Sequence, residues 1–115
     1  MMILSIAEKF SKTPGFRYEK QSPGVSGEEF RDNLLESSYL DALSKKEKLQ
    51  VVLDGTDGYL TSFLEEAFGG LQRSLMKKGM KENILSTIEI VSNEEKHWII
   101  EIERYVKKAI AEFKS

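Results

Sequence analysis

The segment Leu49-Gln50-Val51-Val52-Leu53 stops abruptly at two turn pairs, Asp54-Gly55 and Asp57-Gly58, and a long helical pattern begins straight after them. This strand–turn–helix unit constrains the chain more than any other feature. A mostly apolar run with a β-branched centre is the pattern of a strand covered on both faces. The pattern that follows, from Ser62 to about Lys78, places Phe63, Leu64, Ala67, Phe68, Leu71 and Leu75 at steps of three and four, as one apolar helix face requires. A strand that leaves into a helix cannot pair back through a tight hairpin. It calls for a crossover to a parallel neighbour.

The remaining segments repeat that alternation. Met2–Ile6 reads as a first strand, too short for a signal-peptide core and without a basic flank. Thr13-Pro14-Gly15 is a turn signal, and the polar stretch Arg17–Gln21, closed by Ser22-Pro23-Gly24, reads as a short edge strand. Ser26 and Glu29 form a capping box ahead of a helix that carries Phe30, Leu34 and Leu35. Thr87–Val91 alternates as a last strand, and Ser92 with Glu95 has the spacing of a second capping box. The final helix then carries a stripe of Trp98, Ile99, Ile102, Val106, Ile110 and Phe113. The expected architecture is an α/β fold: one domain over residues 1–115, with a central, mixed but mostly parallel sheet of about four strands and crossover helices.

Composition narrows the function classes. With 19 acidic and 17 basic residues the net charge is −2, which argues against sequence-independent nucleic-acid binding and gives no support to an anionic membrane surface. No window approaches the ~20 apolar residues of a membrane span. There is no cysteine and one histidine, His97, so thiolate and multi-histidine metal sites are excluded. A cytoplasmic location fits, no cofactor is implied, and no phosphate-loop or Ser-His-Asp pattern is present. Adjacent Glu65 and Glu66 do not face each other on a helix, so they make a poor catalytic acid pair. The expectation is a protein that is not an enzyme.

The candidate site is the turn and the helix start. In parallel sheets the functional edge lies beyond the carboxyl ends of the strands. That edge collects Asp54, Gly55, Asp57, Gly58, Tyr59, Leu60 and Phe63 as a partner- or ligand-binding loop, and Thr61 and Ser62 as candidate phosphoacceptors. Two readings compete. Ser62 and Glu65 have capping-box spacing, so Ser62 can simply cap the helix. A phosphate at Thr61 would meet free helical N–H groups and add about 1.5–2 negative charges. Asp54 and Asp57 precede glycines and suit turn formation. Arg17 and Arg31 suit surface salt bridges or an anion. Gly69-Gly70, inside a helix at ~1 kcal/mol each, implies close approach of the helix to the sheet or to a partner, including a homodimer partner.

Three segments carry a resemblance: Thr13–Tyr18 (TPGFRY), Ser26–Arg31 (SGEEFR) and Leu53–Leu71 (LDGTDGYLTSFLEEAFGGL). Together they resemble the STAS-like domains of the DUF4325 family, densely from Ser5 to Arg73 and more loosely after Thr87. By name that family is similar to the STAS domains of anti-sigma factor antagonists. The resemblance implies a non-catalytic regulatory module that binds a histidine-kinase-like ATPase, which phosphorylates a Ser or Thr at this helix start and so blocks binding. The STAS motif Asp-Ser-Ser-Gly-Leu stands here as Leu60-Thr61-Ser62-Phe63-Leu64, with Thr61 at the phosphoacceptor position. The bulk of Phe63, in place of glycine, is expected to restrict close docking of a kinase. Alternative expectations are a small-molecule or nucleotide sensor that uses the same loop, and an accessory protein of a defence-type gene cluster.

Overall fold

The computed structural model describes residues 1–114. Three parallel strands, β1 (Met2–Ser5), β2 (Leu49–Val52) and β3 (Ile88–Val91), pair in chain order with β2 in the centre. The register sets Leu4 beside Val51 and Val51 beside Ile90. Leu4, Leu49, Val51 and Ile88 are buried on the core face. On the opposite face Ile3, Gln50 and Glu89 lie in one row, where the Gln50 amide donates to Glu89 at 2.7 Å. Ile3 and Glu89 in that row are exposed. The central strand is therefore covered fully on one face, not on both as its composition suggests: Gln50 and Val52 are half-buried.

The expected fourth strand over Arg17–Gln21 does not form. Those residues make a turn, with Gln21 and Ser22 N–H both donating to the Tyr18 carbonyl. The Phe16 and Arg17 carbonyls instead accept from Gly27 and Glu28 N–H, at 3.0 and 2.9 Å. The backbone groups that a strand would offer to a sheet edge are used to satisfy the open end of the next helix.

Two of the three long helices are continuous rods with a wide π turn inside each. The first comprises α2 (Gly27–Phe30), a π turn (Arg31–Leu35) and α3 (Glu36–Lys45). The second comprises α4 (Thr61–Leu64), a π turn (Glu65–Gly69) and α5 (Gly70–Lys77). In both, an N–H reaches five residues back: Glu36 to Arg31, and Gly70 to Glu65. The two π turns face each other. A short α1 (Ile6–Lys9) follows β1, and α6 (His97–Lys114) packs along the second rod. The second rod lies between the first rod and α6, so Phe63, Leu64, Ala67, Phe68, Leu71 and Leu75 are all buried. At the heart of the core the Phe30 and Phe63 rings stack at 6.0 Å, with Phe10 against both.

Two details of α6 differ from the sequence pattern. Ser92 and Glu95 make no capping box; Ser92 Oγ donates to the Glu95 carbonyl at 2.7 Å, and the helix starts later, at His97. Phe113 is 44% exposed because the helix runs on past the core, and Ala109 is the last fully buried residue of its stripe.

Gly27 is where the rods meet most closely. A Cβ there would lie 2.5 Å from the Phe63 carbonyl oxygen, a backbone atom that cannot swing aside. Gly27→Ala is therefore expected to lower the unfolding free energy by about 1–3 kcal/mol in urea titrations. An unchanged midpoint would show that the rods can separate freely.

Candidate functional site

The turn after β2 is held from below by its own acidic and aromatic side chains. The Asp54 carboxylate accepts from Asn93 N–H at 2.9 Å, from Glu94 N–H at 2.9 Å and from the Asn93 side-chain amide at 3.1 Å. The Glu94 N–H bond is the main reason that its pKa lies below the ordinary value. Glu94 replies by accepting from Gly55 N–H. Gly55 and Gly58 adopt left-handed backbone, with φ of 95° and 122°. The Tyr59 hydroxyl donates to the Leu53 carbonyl at 2.6 Å, and its ring lies against Phe63 and edge-on to Trp98. Burial pushes the Tyr59 pKa up to about 12, which keeps it a donor.

Several residues of the expected binding loop are thus structural. Asp54 and Tyr59 brace the turn. Phe63 is fully buried among Phe10, Phe30 and Tyr59, so it offers no ring to a partner, and its bulk points inward and does not obstruct the outer surface. Gly55, Asp57 and Leu60 are the exposed members, Leu60 at 42%.

The helix start differs from the capping-box pattern. Leu60 occupies the N-cap position and makes no side-chain cap, which places Thr61 and Ser62 as the first two helical residues. Glu65 does not fold back either. Its carboxylate accepts from Arg73 at 2.6 and 3.1 Å and from Arg17 at 2.5 Å. Burial opposes its charge, but the Arg73 and Arg17 hydrogen bonds outweigh that and hold the Glu65 pKa below the ordinary value. Thr61 is left exposed and Ser62 half-buried.

Glu66 is buried one residue further on, paired with Arg31 and with Arg17 at 3.1 Å. Together Arg17, Arg31 and Arg73 enclose the two adjacent glutamates between the facing π turns. This network explains Gly69-Gly70. A Cβ at Gly69 would lie 2.5 Å from Glu65 Oε2, and one at Gly70 would lie 2.7 Å from Arg31 Nη1. The close approach inferred for these glycines is to the ion pairs, not to the sheet or to another protein. Both are buried within the chain.

Beside this network lies a cleft of about 690 Å³ between the helix start and α6. Thr61, Glu65 and Arg17 form one side, and Glu101, Arg104, Tyr105 and Lys108 are on the other. The Tyr105 hydroxyl is buried beside Thr61 without a full hydrogen bond, and burial raises its pKa. Sequence reasoning placed no site residue on α6. The polar stripe at 101, 104, 105 and 108 has the spacing of one helix face and was the available signal.

The profile of the STAS-like domain of unknown function DUF4325 matches residues 26–98. The chain belongs to that family. The matched stretch includes Thr61, Glu65 and Glu66, whereas Arg17 and the cleft-lining residues of α6 lie outside it. No curated protein and no solved structure matches the chain.

Two measurements test this geometry. Arg31→Met leaves Glu66 buried with one partner fewer and is expected to cost about 2–3 kcal/mol, most of it recovered in the double variant Arg31→Met, Glu66→Met. Additive losses would remove the pair from the account. Asp54 has a lowered folded pKa, so its contribution is present above the unfolded value of 3.8 and is lost as pH falls through the lower folded value. The stability gap between wild type and Asp54→Ala should be constant from neutral pH down to about pH 5 and close below it. A gap independent of pH down to acid unfolding would exclude the charged cap.

Proposed function

We propose that this chain is a non-catalytic regulatory module that binds a protein partner through Asp57, Leu60 and the Thr61 helix start. Phosphorylation of Thr61 is the switch, and a histidine-kinase-like ATPase is the partner. The observation that carries this reading is the helix start itself. Thr61 is exposed and engaged in no cap, beside the exposed apolar Leu60. Asp54 and Tyr59 hold the turn beneath it, so a partner would meet a preformed surface and lose little to loop ordering. A phosphoryl group would add about 1.5–2 negative charges at the edge of the apolar contact, enough to disfavour an acidic or apolar partner surface. Ser62, half-buried, is the secondary acceptor.

A second reading draws support from the cleft. Its volume falls in the ~300–1,000 Å³ range of small-molecule sites, and its mixed charges suit a polar or anionic ligand.

Affinity capture with wild-type and Thr61→Asp, Ser62→Asp baits tests the first reading. The expected result is an ATPase retained by wild type and lost from the acidic form. The same partners on both baits would refute switching at this helix start. The sensor reading predicts that a bound small molecule raises the melting temperature, since a ligand at 100 times its Kd stabilises by about 2.7 kcal/mol.

A further inference from the structure

We propose that a phosphoryl group on Thr61 is received by the chain's own cleft, where it takes Arg17 away from the glutamates and draws Arg104 and Lys108 of α6 toward the helix start. This rests on the Thr61 switch proposed above and adds how the mark is read within the molecule.

The ion network is redundant around Arg17. Arg17 Nη1 donates to Glu65 at 2.5 Å and to Glu66 at 3.1 Å. Glu65 is also held by two bonds from Arg73, and Glu66 by Arg31. Arg17 can therefore leave while each carboxylate keeps its other arginine, Arg73 on Glu65 and Arg31 on Glu66. Glu66 has a further guanidinium in Arg73, at 3.8 Å.

Thr61 and Glu65 lie one helical turn apart on the same face and line the same cleft as Arg17. A phosphate on Thr61 is therefore a like charge beside Glu65 and a competitor for the cation between them. It also has the stronger claim, with about two charges and three acceptor oxygens against one carboxylate. The opposite wall supplies more cations. Arg104 pairs with Glu101 alone and is largely exposed, and Lys107 and Lys108 make no ion pair among the described residues. The cleft carries four cations against three carboxylates before modification, so a phosphate would bring it close to neutrality instead of building up charge. The Tyr105 hydroxyl, buried beside Thr61, gives the phosphate a donor from the same wall.

The consequence reaches past the cleft. Arg17 belongs to the turn whose carbonyls satisfy the start of the first rod, and it sits between Phe16 and Tyr18, which are 50% and 48% exposed. Moving its guanidinium takes it from over the Tyr18 ring, where it lies 6.0 Å from the centroid. The phosphorylated and unphosphorylated forms would then differ in surface shape as well as in charge.

The test uses the full chain carrying phosphothreonine at position 61, installed during translation so that no kinase is needed. Titration of its phosphorus NMR signal should give a second phosphate pKa at least half a unit below the free value of about 6. Arg17→Gln should remove part of that shift, and the surface pair Arg104→Gln, Lys108→Gln should remove most of the rest without affecting folding. A phosphate pKa equal to that of the same chain unfolded in urea, or a shift untouched by both variants, overturns cis capture. Free O-phosphothreonine added to the unmodified protein is expected to bind in the millimolar range and to be excluded once Thr61 is phosphorylated. Tight binding that survives phosphorylation would assign the cleft to a diffusible phosphate ester and overturn the proposal. Because the phosphate is installed directly, a capture experiment that finds no ATPase would refute the partner reading while leaving this result standing.

Discussion

Between the two rods, the Gly27 backbone packs against the carbonyl of Phe63, and just beyond it the facing π turns enclose Glu65 and Glu66 among three arginines. The rest of the molecule is arranged around that contact. Because backbone meets backbone, the spacing of the rods is set without side chains as spacers, and the Phe30 and Phe63 rings can stack directly beneath. Each π turn widens its helix by one residue, and Gly69-Gly70 clear the space into which guanidinium groups fit. Buried charges are tolerated there because each carboxylate has more than one arginine partner, and breaking such a cluster is costlier than never forming it.

That arrangement decides which parts of the helix start remain available for function. Asp54, Tyr59, Phe63 and Glu65 all lie in the stretch that the sequence marks as a site, and all four are occupied: Asp54 with the loop before α6, Tyr59 with the Leu53 carbonyl, Phe63 with the core and Glu65 with two arginines. What stays open is narrow. Leu60 and Thr61 are exposed, Ser62 is half so, and a charged cleft lies to one side. The functional proposals rest on these residues because the others already have structural partners.

The motif Ser-x-x-Glu recurs at helix starts, at Ser5, Ser26, Ser62 and Ser92, with different outcomes. At Ser26 and Glu29 the reciprocal box forms, with Glu29 N–H donating to Ser26 Oγ at 3.1 Å and the Glu29 carboxylate turned back on the Ser26 backbone. At Ser62 and Glu65 it does not, because two guanidinium groups offer the Glu65 carboxylate charge-assisted bonds that an N-cap N–H cannot match. Likewise the polar stretch from Arg17 has the composition of an edge strand, but the neighbouring carbonyls meet helix N–H groups before they could meet a sheet. The apolar stripe of α6 was legible up to Ile110 but not at Phe113, since periodicity says which side of a helix is apolar and not where the core beneath it ends.

By itself the sequence determined the alternation of strands and helices, the parallel sheet, the first capping box, the turn glycines and the apolar faces. Each of these is encoded within a few neighbouring residues, where periodicity and backbone preference act directly. Only the tertiary structure decided that Arg17 answers Glu65 across 48 positions and Arg31 answers Glu66 across 35, that Phe63 turns inward, and that α6 supplies the second wall of the cleft beside Thr61. Ion pairs at such separations depend on how the rods pack, and packing is a property of all the faces together, which no local pattern specifies.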